Sequence, residues 1–410
     1  MKKILLSCMI FTTPLAAQAA GFALIEQSGS GMGNAFAGGS AIAEDASTVY
    51  FNPAGMTYIE GTQLVGALHL IKPSAEFNGT ITPTGHAAGS NGGDAGDLSF
   101  VPNAYFKMDL SDTLKLGVGV NAPFGLKTEY DPTWKGRFQA IKSEVKTINI
   151  NPAIAFKVND QLSVGFGVSA MWAKAELTRA VNLGAFPIPE ATVKIKGDDW
   201  GFGYNLGAIF QATTDTRIGV AYRSKVDQHL EGDATFSAPA TANNTTVKAN
   251  ISLPENFSVS AFSRLNETWD VMGDVIWTHW SRFKELRIDF ANALPDSVTA
   301  ENWDNSMRYS IGANYHYSDS IKLRAGLAYD VEAVNDDFRT ARIPGNDRKW
   351  LSLGANWKAS PNSSVDVGYS HLFISDASIN DGRLGAVNGT LKGSFEGDVN
   401  ILSLQYTHNF

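Results

Sequence analysis

Little in this sequence is spaced for covalent chemistry. Its seven histidines are scattered, and no pair has the H-x-x-x-H spacing that holds a metal from one helix face. Gly165-x-Gly167-x-x-Ala170 fits the letters of a dinucleotide fingerprint. That site needs a strand, a glycine turn and a helix whose N-terminus takes the pyrophosphate, and here the period stays at two with no helix following. Asp94-Ala95-Gly96-Asp97 carries carboxylates that could hold a cation, and it equally makes a polar turn. A hydrolase would need a serine activated by a histidine, and nothing singles one out. No catalytic residue, metal or cofactor is therefore expected. The residues whose types do point somewhere act through the backbone. In Asn52-Pro53-Ala54, Pro53 fixes its own φ, biases Asn52 away from helix, and leaves the Asn52 amide to bond neighbouring backbone. Pro102 and Pro123 lack the N–H that a central strand needs.

The elements that position them have a period of two. Leu162, Val164, Phe166, Val168, Ala170 and Trp172 alternate with small or polar residues, as do Ile321 to Tyr329, Ile218 to Tyr222 and Val365 to Tyr369. Such segments are strands with one apolar and one polar face. A soluble sandwich alternates too, but here the polar face is rich in Gly, Ser and single charges, as suits a lumen. Trp172, Tyr222, Trp280 and Trp357 sit near strand ends, like an interfacial aromatic girdle. The chain ends Leu402, Leu404, Tyr406, His408, Phe410, which resembles the terminal strand read by the barrel-assembly machinery. Alternating stretches from Gly61 onward number about fourteen. The fold class is all-β: a transmembrane antiparallel β-barrel over 61–410, with turns such as 110–113 and 213–216 at the periplasmic end. Irregular stretches 122–143, 179–197, 231–248, 287–302 and 333–348 would face outside.

Composition agrees. Of 410 residues, 44% are hydrophobic and 18% charged, which is too apolar for disorder. The net charge of −8 argues against nucleic acid as a partner. After residue 20 no apolar run reaches the roughly 20 residues of a membrane helix. Residues 1–19 read as a signal peptide: basic Lys2-Lys3, apolar Ile4 to Phe11, and Ala17-Gln18-Ala19 before the cleavage point. The single cysteine, Cys8, leaves with it, so the exported chain needs no disulfide. The expected location is the outer membrane of a Gram-negative bacterium, among its lipids and lipopolysaccharide, with the chain as a monomer.

Residues 20–60 do not alternate. Ser28 to Gly39 is glycine-rich, yet Phe22, Leu24, Ile25, Phe36, Val49, Tyr50 and Phe51 make it too apolar for a linker. Small residues let backbone pack tightly in a confined lumen, so 20–60 reads as a plug. Gly21-Phe22-Ala23-Leu24, Ala41-Ile42-Ala43-Glu44-Asp45-Ala46 and Asn52-Pro53-Ala54-Gly55 resemble the N-terminal hatch of the FadL-type outer-membrane transporters of long-chain fatty acids. Weaker matches at Thr128-Glu129-Tyr130, Trp200-Gly201-Phe202-Gly203, Tyr222-Arg223-Ser224, Leu253-Pro254-Glu255 and around Trp280 carry the resemblance to Phe410.

The resemblance implies capture of a hydrophobic molecule between outer loops, transfer to an inner pocket beside the mature N-terminus at Phe22, and lateral exit through a gap in the wall. Related members carry aromatic hydrocarbons. It places a cation for the substrate carboxylate at Arg179, and at the family's second cationic position this chain has Thr299, which keeps neutral substrates in play. The capture groove would lie between 122–143 and 179–197, where Trp134, Phe138, Leu183, Phe186 and Ile188 supply apolar groups expected to be exposed. The gap is also readable without the resemblance. A tight turn at Ser111-Asp112 sets Pro102 opposite Asn121 and Pro123 opposite Phe100, so Pro102, Pro123, Phe124 and Gly125 mark an inward kink. A polar-solute porin and a barrel hydrolase stand as the alternatives.

Overall fold

A computed structural model of the chain describes residues 21–82, 89–183, 190–383, 385 and 388–410. The signal peptide expected at 1–19 lies outside them. Nineteen strands form one antiparallel sheet, and its first strand, Gln63–Pro73, pairs with its last, Asp398–Asn409, from Gln63↔Asn409 to Pro73↔Val399. Five staves of this closed barrel are each broken into two strands, at 122–124, 224–225, 254–255, 279–284 and 301–305. The nineteen strands therefore make fourteen staves.

The alternation explains which way each face points. Phe166, Ile311, Leu404 and Phe202, the last 74% exposed, lie on the outside of the wall. Ser163, Asn151, Asn205, Ser403 and Gln405 lie buried on the inside. A soluble sandwich would bury its apolar face; here the apolar face is the open one, and a bilayer is the solvent that accepts it.

The short turns are where expected: the Leu110 N–H donates to Leu114 O (3.0 Å) and the Thr213 N–H to Thr216 O (3.3 Å). At the opposite end the strands run further than the sequence suggests. Leu162–Val181 and Ala191–Gln211 stay paired up to Val181↔Ala191, so most of 179–197 is strand rather than loop. Val226–Phe236 with Thr245–Leu253, and Glu285–Phe290 with Ser297–Ala300, likewise extend into 231–248 and 287–302. Beyond the bilayer a ladder needs only its backbone hydrogen bonds, so strands continue after the two-period pattern fades. Glu76–Thr82, Ala377–Asp381 and Thr390–Glu396 form a separate three-stranded sheet at this end.

Two further expectations are corrected. Trp280 is not in the outer girdle: the break at 279–284 turns it inward, where it is 1% exposed. The hairpin at Ser111 is one residue longer than a tight turn, pairing Asp109 with Lys115 and Ala104 with Val120. Its ladder ends there, so Pro102 does not face Asn121, and Pro123 does not face Phe100.

Residues 21–59 pack against the inner faces of the staves as short helical turns, Gly29–Met32, Gly39–Ile42, Thr48–Phe51 and Pro53–Tyr58. The Gly29 N–H donates to Gln405 Oε1 (2.9 Å), Asn34 Nδ2 to Asn314 Oδ1 (3.0 Å) and the Ser40 N–H to Ser260 Oγ (3.1 Å). Glu44 is held by Arg324 (2.7 Å) and Lys322, and Arg324 in turn by Asp366 (2.7 Å).

Candidate functional site

The site is built around Phe22. Gly21 adopts φ +66°, and a Cβ there would meet the Trp303 ring at 2.6 Å and the Trp280 ring at 2.8 Å, so only glycine lets the chain approach so closely. Its N–H donates to Glu332 (2.9 Å), which Arg348 also contacts (3.2 Å). Phe22 then sits edge-on against Trp280 (4.8 Å), Trp303 (5.9 Å), Phe124 (6.1 Å) and Phe283 (6.3 Å). All four of these rings come from stave breaks, which turn side chains of the wall into the lumen.

Above Phe22 opens a chamber of the concave, mostly apolar kind that small-molecule sites use. Leu126, Val145, Leu177, Leu230, Ile251 and Leu286 give it apolar walls; Lys196, Glu301 and Arg342 are the charged residues of its lining. It shares Leu177, Ile195, Leu286, Ile288 and Arg342 with a polar mouth that adds Arg179, Thr299, Asp381 and Arg383. Arg179 points inward beside Leu177. Its neighbour Glu176 points outward to Lys142 (3.5 Å) and Lys196 (3.0 Å), so the two do not pair. Arg342 donates to Ser143 Oγ (2.9 Å) and is pushed down to about 10 by burial and by the like charge of Arg179. Arg383 is engaged by Asp381 (2.9 Å). Burial raises the Glu301 carboxyl to about 7 against the pull of Arg383. The Trp303 indole N–H donates to that carboxyl (3.1 Å). Sequence reasoning missed Arg342 and Arg383, which stand where Thr299 leaves the second cationic position unfilled. An arginine in a long polar stretch carries no local sign that it faces a cavity.

Of the four residues of the expected gap, Pro123, Phe124 and Gly125 lie at the break in the third stave, and Pro102 lies on the second stave beyond the end of its ladder with the third. The ladder between the second and third staves ends at Ala104↔Val120. Gly125–Glu129 pairs with the fourth stave alone. Pro102, paired with Leu68 on one side, has no strand partner on the other. Between these edges 122–125 bends inward and meets the N-terminal segment: Phe124 bridges Ala23, the Leu24 N–H donates to Pro123 O (2.8 Å) and the Gly125 N–H to Phe22 O (2.9 Å).

The Asn52 turn is seated on the wall. Asn52 Nδ2 donates to Ser40 O (2.7 Å), Ala208 O (3.1 Å) and Val220 O (3.2 Å), while its Oδ1 accepts from the Ala54 N–H (3.1 Å). Pro53 opens the 3₁₀ turn, where its missing N–H costs nothing. The wall beneath is glycine: a Cβ on Gly207 would fall 1.9 Å from Asn52 Oδ1, and one on Gly165 2.4 Å from the Ala54 N.

The exposure expected of the capture-groove residues is corrected. Trp134 and Phe138 are buried, at 0% and 1% exposure. Trp134 stacks on Tyr130 (4.2 Å) and donates to Ala140 O (2.7 Å) in a small core under the three-stranded sheet with Phe77, Ile379 and Phe395. Phe138 packs with Ile81, Ile141 and Ala180. A long loop needs a core of its own, and these residues supply it. Leu183 packs on Ala191, Val193 and Phe236; Phe186 and Ile188 lie outside the described residues. Asp94 and Asp97 belong to a polar turn, with Asp94 accepting from the Ala75 N–H (2.9 Å) and Gly96 N–H (2.8 Å) and Asp97 paired to Lys127.

Comparison with known proteins agrees with this architecture. A family model described as "Outer membrane protein transport protein (OMPP1/FadL/TodX)" matches residues 10–410. The chain is 32% identical to Outer membrane protein P1 of Haemophilus influenzae, with 96% of each chain covered. It is 30% identical to a Long-chain fatty acid transport protein of Escherichia coli O6:H1, covering 93% of this chain and 92% of that one. Among solved structures it is similar to a Pseudomonas aeruginosa FadL homologue, with TM-score 0.88, 24% identity, and 95% and 100% covered. The fold is also that of the Pseudomonas putida toluene transporter TodX, with TM-score 0.71, 17% identity, and 89% and 94% covered.

Proposed function

Since the chain belongs to the OMPP1/FadL/TodX family of outer-membrane transport proteins for hydrophobic compounds, we propose that its cargo is long-chain fatty acids. On this reading the acid is captured at the outer surface, rests in the chamber above Phe22, and leaves sideways at 122–125 beneath the N-terminal hatch. One observation carries the reading: an apolar chamber continuous with a mouth that holds two arginines, Arg179 and Arg342, neither ion-paired among the described residues. An acyl chain gains roughly 25 cal/mol for each Å² it buries against such walls. A carboxylate suits the planar fork of arginine, which binds it bidentately. Arg179 and Arg342 would hold the head group, with Thr299 as a neutral neighbour. The terminal strand ending at outward Phe410 would serve recognition by the barrel-assembly machinery, and the chain would work as a monomer.

A neutral aromatic hydrocarbon is the second reading, favoured by the five-ring nest at Phe22 and by the chamber's scarcity of charge. Binding of an 18-carbon fatty acid and of toluene to purified wild-type, Arg179→Ala and Arg342→Ala protein separates the two. Each variant should lose about 1.5–3 kcal/mol of fatty-acid binding, the range of a charge-assisted hydrogen bond, and keep its toluene binding. Equal losses for both ligands would mean structural damage, and unchanged fatty-acid binding would remove the arginines from the site.

A further inference from the structure

One patch outside the transport route is unusually charged. On the outward faces of three adjacent staves, the strand register sets residues in level rows. Ile148, Trp172 and Trp200 share the first row, Lys146, Lys174 and Asp198 the next, then Glu144, Glu176 and Lys196, and finally Lys142, Thr178 and Lys194. With strands about 4.8 Å apart and alternate residues about 6.8 Å apart along each, this is a tile about 10 Å wide and 14 Å tall. It lies on the long-loop side of the Trp172–Trp200 level, so it faces the outer leaflet. Below it the same staves present Ile150, Phe166 and Phe202 to the acyl chains.

The charges inside the tile do not balance. Five lysines share three carboxylates. Glu144 takes Lys146 (2.9 Å) and Lys142 (3.4 Å), and Glu176 takes Lys196 (3.0 Å) and Lys142 (3.5 Å). Asp198 accepts the Trp172 indole N–H (3.2 Å). Among the described residues, Lys174 and Lys194 make no ion pair. Lys146 and Lys174 face each other directly across the ladder, an arrangement that like charges make unfavourable without a counter-anion. The tile has a sharp edge, because the next stave carries Glu231 and Asp233 level with Asp198 and Lys196.

We propose that this tile is a binding site for the lipid A portion of lipopolysaccharide, with Lys146, Lys174 and Lys194 meeting its phosphates and the wall below taking its acyl chains. Lysine binds phosphate as a point charge. Cations at headgroup depth act additively on an anionic lipid. The apolar wall directly beneath favours an amphiphile over free phosphate.

Native mass spectrometry of the purified barrel with added diphosphorylated lipid A tests this. Lys174→Ser/Lys194→Ser should lower lipid A retention about 10- to 30-fold, as expected for two headgroup-level cations. Lys174→Arg/Lys194→Arg should retain it, and heat-modifiable gel migration checks that each variant is folded. Dephosphorylated lipid A should bind wild type as poorly as diphosphorylated lipid A binds the serine variant. Equal retention by wild type and a folded serine variant would overturn the proposal. So would undiminished binding of dephosphorylated lipid A, or phosphatidylglycerol binding as tightly as lipid A, since the tile would then be no lipid A site.

Discussion

Glu301 sets the ionic character of the chamber. Its carboxyl is raised to about 7, chiefly by burial, so it is largely neutral below that value and negative above it. A fatty acid is ionised on both sides of this range, whereas toluene carries no charge at any pH. As pH rises through about 7, Glu301 therefore gains a charge of the same sign as the bound carboxylate and competes with it for Arg342 and Arg383. Fatty-acid affinity should fall from about pH 6 to about pH 8 by several-fold, and Glu301→Gln should flatten that profile while toluene binding stays level in both proteins. A wild-type profile without slope, measured by equilibrium binding, would separate Glu301 from the head group. The carboxylate was not singled out by sequence, because its surroundings include Arg342, Arg383 and Trp303, which only the closed barrel brings beside it. Arg179 was named by the resemblance instead, and its inward direction, shared with Leu177 and opposite to Glu176, follows only once the strand is seen to run on to Val181.

Elements were legible where a rule is local. Fourteen staves follow from a two-period pattern, and the Asn52 turn follows from what Pro53 does to its neighbours. Its seat was not legible, because a glycine in a strand signals close approach without naming what approaches, and Gly165, Gly207 and Gly219 come from three different staves. The exposure expected of Trp134 failed for a related reason. An apolar residue in a long loop reads as an exposed patch until its partners are known, and those of Trp134 lie at 75–77 and 377–395, towards the two ends of the chain. The seat carries a prediction of its own. Asn52→Ala leaves the carbonyls of Ser40, Ala208 and Val220 without a shared donor. Unsatisfied buried groups of this kind cost about 1–3 kcal/mol. The variant should still insert in the outer membrane, yet melt at lower temperature and show leak conductance in planar bilayers that wild type lacks. Unchanged melting and unchanged conductance together would mean the turn does not hold the segment in place.

At the scale of the whole molecule the question is which way cargo leaves the chamber. Downward, the lumen is filled by residues 21–59, and a second space of about 900 Å³ beyond Ala23–Ile25 carries Arg223, Asp274, Arg308 and Asp330. Further still, Glu44, Arg324, Lys322 and Asp366 are locked together. An acyl chain on that path would have to displace paired, partly buried charges, which is costly. Sideways, Leu24 and Phe124 lie beside the place where the second and third staves lose each other. Irregular backbone at membrane depth is tolerated only where it lines a cavity or is buried in protein, and here it is covered from inside by hydrogen bonds from Leu24 and Gly125. Those bonds involve two residues on each side, so a small movement of the N-terminal segment would uncover the breach without unfolding a stave. Gly125 is the position that tests this, because a Cβ there would come within 3.0 Å of Leu24 Cδ1, and a longer side chain must enter the opening itself. Gly125→Ala should cost little transport, since Leu24 can yield by a few tenths of an ångström. Gly125→Arg should leave outer-membrane insertion and fatty-acid binding by purified protein intact while reducing whole-cell uptake at least about tenfold. If Gly125→Arg inserts correctly and takes up fatty acid at the wild-type rate, cargo does not leave through the wall between these two staves.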